Sequence, residues 1–223
     1  SNISGATAST YTLVQADVGQ AISVKVSYTD LQGTAESKTS AATALVTNAN
    51  DSPSGSVTIS GTPAQYQVLT VSNTLGDLDG LGPITYQWKS GGIAISGATG
   101  TSYALTQAEV GKIITVTASY TDLQGTAESV TSAATAAVVN VNDPLTGDVT
   151  IAGTPTQNQV LTAITSGLSD LDGLGAFSYQ WLRNGSNISG ATASTYTLVQ
   201  ADVGQAISVQ FSYTDLLGTP ESV

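Results

Sequence analysis

The residues of this chain best equipped for chemistry are acidic, and they come in sets. Asp77 and Asp79 stand two apart in one Gly-rich stretch, and Asp122 and Glu128 bracket a second. The spacing returns as Asp170 and Asp172, then Asp215 and Glu221. Each set follows an Asn-rich segment ending in Asp: Asn48, Asn50 and Asp51 before the first, Asn140, Asn142 and Asp143 before the second. Carboxylates and side-chain amide carbonyls are hard oxygen donors, the ligands of calcium, which takes about six to eight of them. Crowded carboxylates repel one another, and a bound cation removes that cost. The same residues also suit metal-free turns. Asp79-Gly80 and Asp172-Gly173 are turn dipeptides, and Asp or Asn side chains cap loops unaided. Both chemistries remain open on the sequence.

Other chemistries have little to work with. The 223 residues contain no His and no Cys, which removes the commonest general base and the thiol nucleophile. Lysines do not recur with the pattern: Lys25 becomes Thr117 and Gln210. The chain is therefore expected not to be an enzyme. Without Cys there are neither disulfides nor thiolate metal sites. Lys and Arg number 5 against 16 Asp and Glu, a net charge of −11. Phosphate backbones would repel such a surface, so nucleic acid is not an expected partner. No uninterrupted apolar run approaches the ~18 residues a membrane-spanning helix needs, so no membrane insertion is expected in this segment.

The acidic sets recur because the whole chain does. Residues 1–24 reappear letter for letter at 186–209, and Ile95–Val116 is a diverged copy between them. Ser4-Gly5-Ala6-Thr7 returns at Ser96 and Ser189, offsets of 92 and 93 residues. The extra residue falls between Leu161 and Asp170, in a stretch expected to be a loop. A period this long exceeds a solenoid turn and suits one small all-β domain per repeat. Three modules are expected: 1–52 with late strands only, 53–144 complete, and 145–223 without its last strand. The chain is expected to be a piece of a longer polypeptide.

Within one repeat the pattern is that of strands. Ile84, Tyr86 and Trp88 alternate and so share a face. Short β-rich runs follow, with a long one from Ile113 to Tyr120 and a last one within Val130–Val139, separated by turn signals such as Gly61-Thr62-Pro63. Seven or eight short strands in ~92 residues predict an all-β sandwich. The recurrent aromatics, Tyr86, Trp88, Tyr103 and Tyr120, are expected in its core. Glu109, Asp17 and Asp202 are expected at the opposite pole from the acidic loops, solvated.

These residues resemble bacterial immunoglobulin-like repeats of large secreted adhesins and biofilm matrix proteins. The resemblance rests on Gly61-Thr62-Pro63, Tyr86-Gln87-Trp88, Ile95-Ser96-Gly97-Ala98-Thr99, Tyr103 and Val110-Gly111, with the second set at Gly153–Pro155, Tyr179–Trp181, Ile188–Thr192, Tyr196 and Val203-Gly204. It extends to Tyr120-Thr121-Asp122, to Gly125-Thr126-Ala127-Glu128-Ser129 and to the linker Val141-Asn142-Asp143. It implies tandem Ig-like β-sandwich modules with Trp88 and Trp181 buried on the third strand. It also implies that each linker and the two acidic loops meet at one pole. Asp51, Asp77, Asp79, Asp122 and Glu128 would then converge at one joint, with Asn48 and Asn50. Asn142, Asp143, Asp170, Asp172, Asp215 and Glu221 would converge at the next, with Asn140. Calcium is the cofactor such joints would take.

The function expected from this reading is that of a structural extender in a bacterial cell-surface adhesin or extracellular matrix fibre. Its partners would be neighbouring modules of the same chain and other copies in a fibre. Two alternatives stand beside it: modules that bind glycans or proteins through their loops, and a filament subunit assembled by strand complementation.

Overall fold

The computed structural model describes residues 2–222, so Ser1 and Val223, the outer ends of the first and third expected modules, lie outside the described residues. The described chain is all-β, built from antiparallel sheets and three short 3-10 turns. It divides into two compact units. One holds residues up to Gly61, Val68–Tyr103 and Ile113–Ala136; the other holds Thr62–Gln67, Ala104–Lys112 and the chain from Ala137 on.

In the first unit, β1 (Lys25–Thr29) pairs with β2 (Ala35–Thr39) as a two-stranded ribbon. β3 (Val57–Ser60), β4 (Val68–Asn73) and β7 (Ser102–Ala104) form a three-stranded sheet in the order β3-β4-β7. β5 (Thr85–Ser90), β6 (Ile93–Ala94), β8 (Ile114–Thr121) and β9 (Ala127–Thr131) form a four-stranded sheet in the order β6-β5-β8-β9. Along β8 every second residue, Ile114, Val116, Ala118 and Tyr120, is buried, as period-two patterning requires. Trp88 pairs in register with Val116, is fully buried, and stacks on Tyr103 of the other sheet with ring centroids 6.1 Å apart. Its indole N–H donates to the Gly100 carbonyl at 2.9 Å, so the polar atom of the ring is satisfied as its apolar body is buried. Asn73 Nδ2 donates to the Tyr86 hydroxyl at 2.6 Å and gives the two sheets a second tie.

The second unit repeats the plan. β10 (Thr150–Ala152), β11 (Val160–Ile164) and β14 (Thr195–Thr197) form the three-stranded sheet. β13 (Ser186–Asn187), β12 (Ser178–Arg183), β15 (Ile207–Thr214) and β16 (Pro220–Ser222) form the four-stranded one, in that order. Leu161, Ala163, Trp181 and Leu198 make one core cluster across the two sheets; Leu168, Phe211 and Tyr213 make another. The sandwich-like packing expected from the strand pattern is present, with both tryptophans at its centre.

Two local expectations need correction. The last strand predicted within Val130–Val139 is not continuous. β9 ends at Thr131, and only Val138 and Val139 return to pairing, through isolated parallel bridges to Val110 and Ala64. Between them backbone and side chain share the pairing: the Ser132 and Thr135 amides donate to the Val116 and Ile114 carbonyls at 2.9 and 3.0 Å, and Ser132 Oγ and Thr135 Oγ1 accept from the Val116 and Ile114 amides, each at 3.1 Å. Glu109, Asp17 and Asp202 are buried, not solvated. Glu109 accepts from the Thr106 amide and hydroxyl at 3.0 and 2.7 Å. Asp17 and Asp202 do the same for Val14 and Tyr11, and for Val199 and Tyr196. Each carboxylate closes the 3-10 turn that contains it, and the free donors at that turn's start outweigh the cost of burial.

With no disulfide, the core depends on these aromatics. Trp181→Ala is expected to lower unfolding stability by about 3–5 kcal/mol, the usual cost of emptying a buried aromatic site. Denaturant titration followed by circular dichroism measures it.

Candidate functional site: the acidic joints

One joint lies within each unit, and the two are built alike. Glycine brings the two acidic loops together. A Cβ at Gly82 would stand 1.9 Å from the Thr121 carbonyl oxygen, and one at Gly175 would stand 1.9 Å from that of Thr214. Only a residue without a side chain lets the loop after β4 lie against the end of β8, and likewise in the second unit. The contact is closed by the Leu123 amide donating to the Gly80 carbonyl at 3.2 Å, and by Leu216 to Gly173 at 3.3 Å. Asp79 and Asp122 each sit one residue from that bond. So do Asp172 and Asp215.

The linker is tied to the same loops. The Asp51 amide donates to Asp79 Oδ2 at 2.7 Å, and Asn50 Nδ2 donates to Glu128 Oε1 at 2.8 Å. In the second unit the Asp143 amide donates to Asp172 Oδ2 and Asn142 Nδ2 to Glu221 Oε1, both at 2.8 Å. Asp143 also reaches the other way: its carboxylate accepts from Gln65 Nε2 at 2.7 Å and from the Tyr66 hydroxyl. Gln65 in turn accepts from the Val141 amide at 3.0 Å. One aspartate thus binds the turn after β3 to the loop before β12.

The predicted acidic residues divide by what their oxygens do. Asp77 is fully engaged: Oδ1 accepts from the Asp79 amide at 2.9 Å and Oδ2 from the Tyr120 hydroxyl at 2.6 Å. Asp170 is engaged in the same way with Asp172 and Tyr213. Burial first, then the hydrogen bond and the surrounding carboxylates, hold both tyrosine hydroxyls well above their ordinary pKa, so they remain neutral donors. Asp122 spends Oδ1 on the amides of Gln124 and Thr126 at 2.9 and 2.8 Å; Asp215 spends its own on Leu217 and Thr219, both at 2.8 Å. Burial alone would raise Asp215. The amides of Thr219 and Leu217 outweigh it and hold that carboxyl below the usual range. Turn chemistry therefore accounts for one oxygen of Asp122 and one of Asp215.

It does not account for the other. Eight buried side-chain N and O atoms among the described residues have no hydrogen-bond partner, and six of them are at the joints: Asn48 Oδ1, Asp79 Oδ1 and Asp122 Oδ2 in one, Asn140 Oδ1, Asp172 Oδ1 and Asp215 Oδ2 in the other. All six are acceptors, four are carboxylate oxygens of buried residues, and the sets correspond position for position. An orphaned buried carboxylate oxygen carries the full desolvation cost of an anion. Oxygen donors of this kind are ones that hard cations take. Among the described residues no group of three or more Asp, Glu, His or Cys side chains is placed to hold a metal. Each set here has two carboxylates and one amide oxygen.

Sequence reasoning placed Asp51, Asp77, Asp79, Asp122 and Glu128, and Asn142, Asp143, Asp170, Asp172, Asp215 and Glu221, at the joints. The hydrogen bonds above bring them there. It did not separate engaged from unengaged carboxylates, and it missed Tyr120, Tyr213, Gln65 and Tyr66 as polar partners. The recurrent Tyr-Thr-Asp at 120–122 and 213–215 was the available signal for the tyrosines. No protein-family model matches the chain, and no curated protein matches it.

Asp202 provides a pH test away from the joints. Burial opposes its ionisation, but the Val199 amide, Arg183 (Nη2–Oδ1 2.6 Å) and Tyr196 outweigh it, and its pKa is lowered. Its contribution to stability is complete above the ordinary Asp value of about 3.9 and is lost as pH falls through the lower folded value. Thermal unfolding between roughly pH 2 and 5 should show Asp202→Asn to be less stable than the parent at the upper end, with the gap closing at the lower.

Proposed function

We propose that the chain is a run of tandem Ig-like modules acting as a structural extender of a bacterial cell-surface adhesin or extracellular matrix fibre, with calcium holding each joint. The observation that carries the reading is the matched pair of orphaned oxygen sets. Asn48, Asp79 and Asp122 would hold one ion, and Asn140, Asp172 and Asp215 the other. The ion supplies the positive charge that these buried acceptors lack. The linker hydrogen bonds through Asp51, Asn50, Asp143 and Asn142 then limit how far the flanking segments can turn about each joint. The near-identity of the first and third copies supports a spacer, since loops selected for recognition would be expected to diversify. An extracellular setting supplies calcium at the concentrations that weak, oxygen-only sites of such modules need, about 0.1–1 mM.

Calcium titration by calorimetry should find two sites per chain. At calcium tenfold above the dissociation constant, each site adds about 1.4 kcal/mol to stability. Asp122→Asn separates a metal site from a metal-free turn, because it keeps an Oδ1 acceptor for the Gln124 and Thr126 amides while removing the charge. In calcium it should lose binding at its joint and melt earlier than the parent; in chelator it should melt no earlier, or later. If calcium up to ~10 mM changes neither heat nor melting temperature, calcium at the joints is wrong.

A further inference from the structure

An open cleft of roughly 600 Å³ lies along one edge of β5, wholly within the first unit. It is lined by Ile84–Gln87, by Thr99–Thr101 and by Ser119 of β8. The path of the chain opens it. The Trp88 amide donates to the Ala98 carbonyl, and the Ile95 amide to the Trp88 carbonyl, both at 3.0 Å. Past Ala98 the chain leaves β5 for the other sheet, where the Thr101 carbonyl accepts from the Val71 amide at 2.9 Å. Tyr86, two residues before Trp88, turns its own amide and carbonyl to the same edge, as antiparallel alternation requires. Among the described residues nothing meets them.

Unused hydrogen-bonding groups collect here. The hydroxyls of Thr99, Thr101 and Ser119 have no partner among the described residues, and each can both donate and accept. Gln87 gives its Nε2 to the Trp88 and Ile95 carbonyls and keeps Oε1 free. No lining residue is charged, although the chain as a whole carries −11. The cleft therefore selects neither a cation nor an anion. Ile84 and Tyr86, both half-buried, add apolar surface. Its volume falls in the range of small-molecule sites, about 300–1,000 Å³. A neutral sugar has the matching chemistry, with hydroxyls around the ring and C–H groups on its faces. An extended peptide fits less well. Strand addition needs a run of free edge, and this edge is filled from Trp88 on.

From this we infer that the β5 cleft binds a neutral saccharide of one or two rings. The Thr99, Thr101 and Ser119 hydroxyls and the Tyr86 main chain are its hydrogen-bonding partners, and Ile84 and Tyr86 are its apolar contact. The site is assigned to the first unit. In the second, Phe177 and Ala193 stand at the positions of Ile84 and Gly100, a larger side chain at each. This inference does not depend on calcium at the joints, since none of the lining residues is a carboxylate or amide assigned there.

Amide NMR of the full chain in chelator tests it, with glucose, galactose, N-acetylglucosamine, maltose, cellobiose and diacetylchitobiose each titrated to ~50 mM. At least one sugar should shift the amides of Tyr86, Gln87, Thr99 and Thr101, with a dissociation constant on the order of 1 mM. Thr99→Val combined with Thr101→Val removes two hydroxyls and keeps the side-chain shape. It should weaken that sugar about tenfold and leave the melting temperature unchanged, because both residues are exposed. Thr117→Val is the control: its hydroxyl pairs with Thr131 outside the cleft, and affinity should stay at the parent value. The proposal is overturned if no sugar shifts these amides, or if the double variant binds as the parent does. An uncharged peptide of alternating threonine and valine that shifts them when no sugar does means strand addition instead.

Discussion

A carboxylate taken out of water needs a donor or a cation for each of its oxygens, and the joints of this chain are organised by that demand. Asp77 and Asp170 meet it with a backbone amide and a tyrosine hydroxyl each. Asp143 meets it with Gln65 and Tyr66. Asp79, Asp122, Asp172 and Asp215 meet it with one oxygen and not with the other. In a metal-free fold those four atoms would be a standing cost, repeated at equivalent positions. Its repetition follows from the repeated loop sequence, Asp77-Leu78-Asp79-Gly80 and Asp170-Leu171-Asp172-Gly173.

The sandwich makes this arrangement durable without covalent help. Trp88 and Trp181 fill the place between the sheets, and each indole N–H finds a carbonyl, Gly100 or Ala193, at 2.9 Å. The neighbouring glutamines serve the same strand: Gln87 Nε2 donates to the Trp88 and Ile95 carbonyls, and Gln180 Nε2 to those of Trp181 and Ile188. Tyr-Gln-Trp thus combines core volume with closure of the strand edge. Because β5 and β8 are held in register by that core, the loops that follow β4 and β8 are brought to one place, and Gly82 and Gly175 permit the last close approach. Core packing sets the loops, and the loops set the carboxylates.

Much of this was legible in the sequence. Period-two patterning identified β5, β8 and the buried face of each, because side-chain alternation is a local property of extended backbone. The repeat placed the acidic loops and linkers in equivalent positions. Less legible was the run from Ser132 to Ala137, where the Ser132 and Thr135 hydroxyls, in place of carbonyls, accept from the β8 amides. The burial of Glu109, Asp17 and Asp202 was equally hidden, since the 3-10 turns they close could not be told from simple turns. Which oxygen of an aspartate is engaged depends on donors distant along the chain, such as Tyr120 for Asp77, and no local pattern encodes that.

The duplicated stretch draws the division most clearly. Sequence by itself determined the acid-bearing 3-10 turn of residues 2–24 and 187–209 alike, at Gln15–Asp17 and Gln200–Asp202, whereas Thr195–Thr197 is a strand and its identical copy at 10–12 is not. Only tertiary structure decided that Leu198 is buried while Leu13 is bare. Burial belongs to a pair of surfaces, and a segment specifies one of them; whether the other is present is settled by what the rest of the fold brings against it.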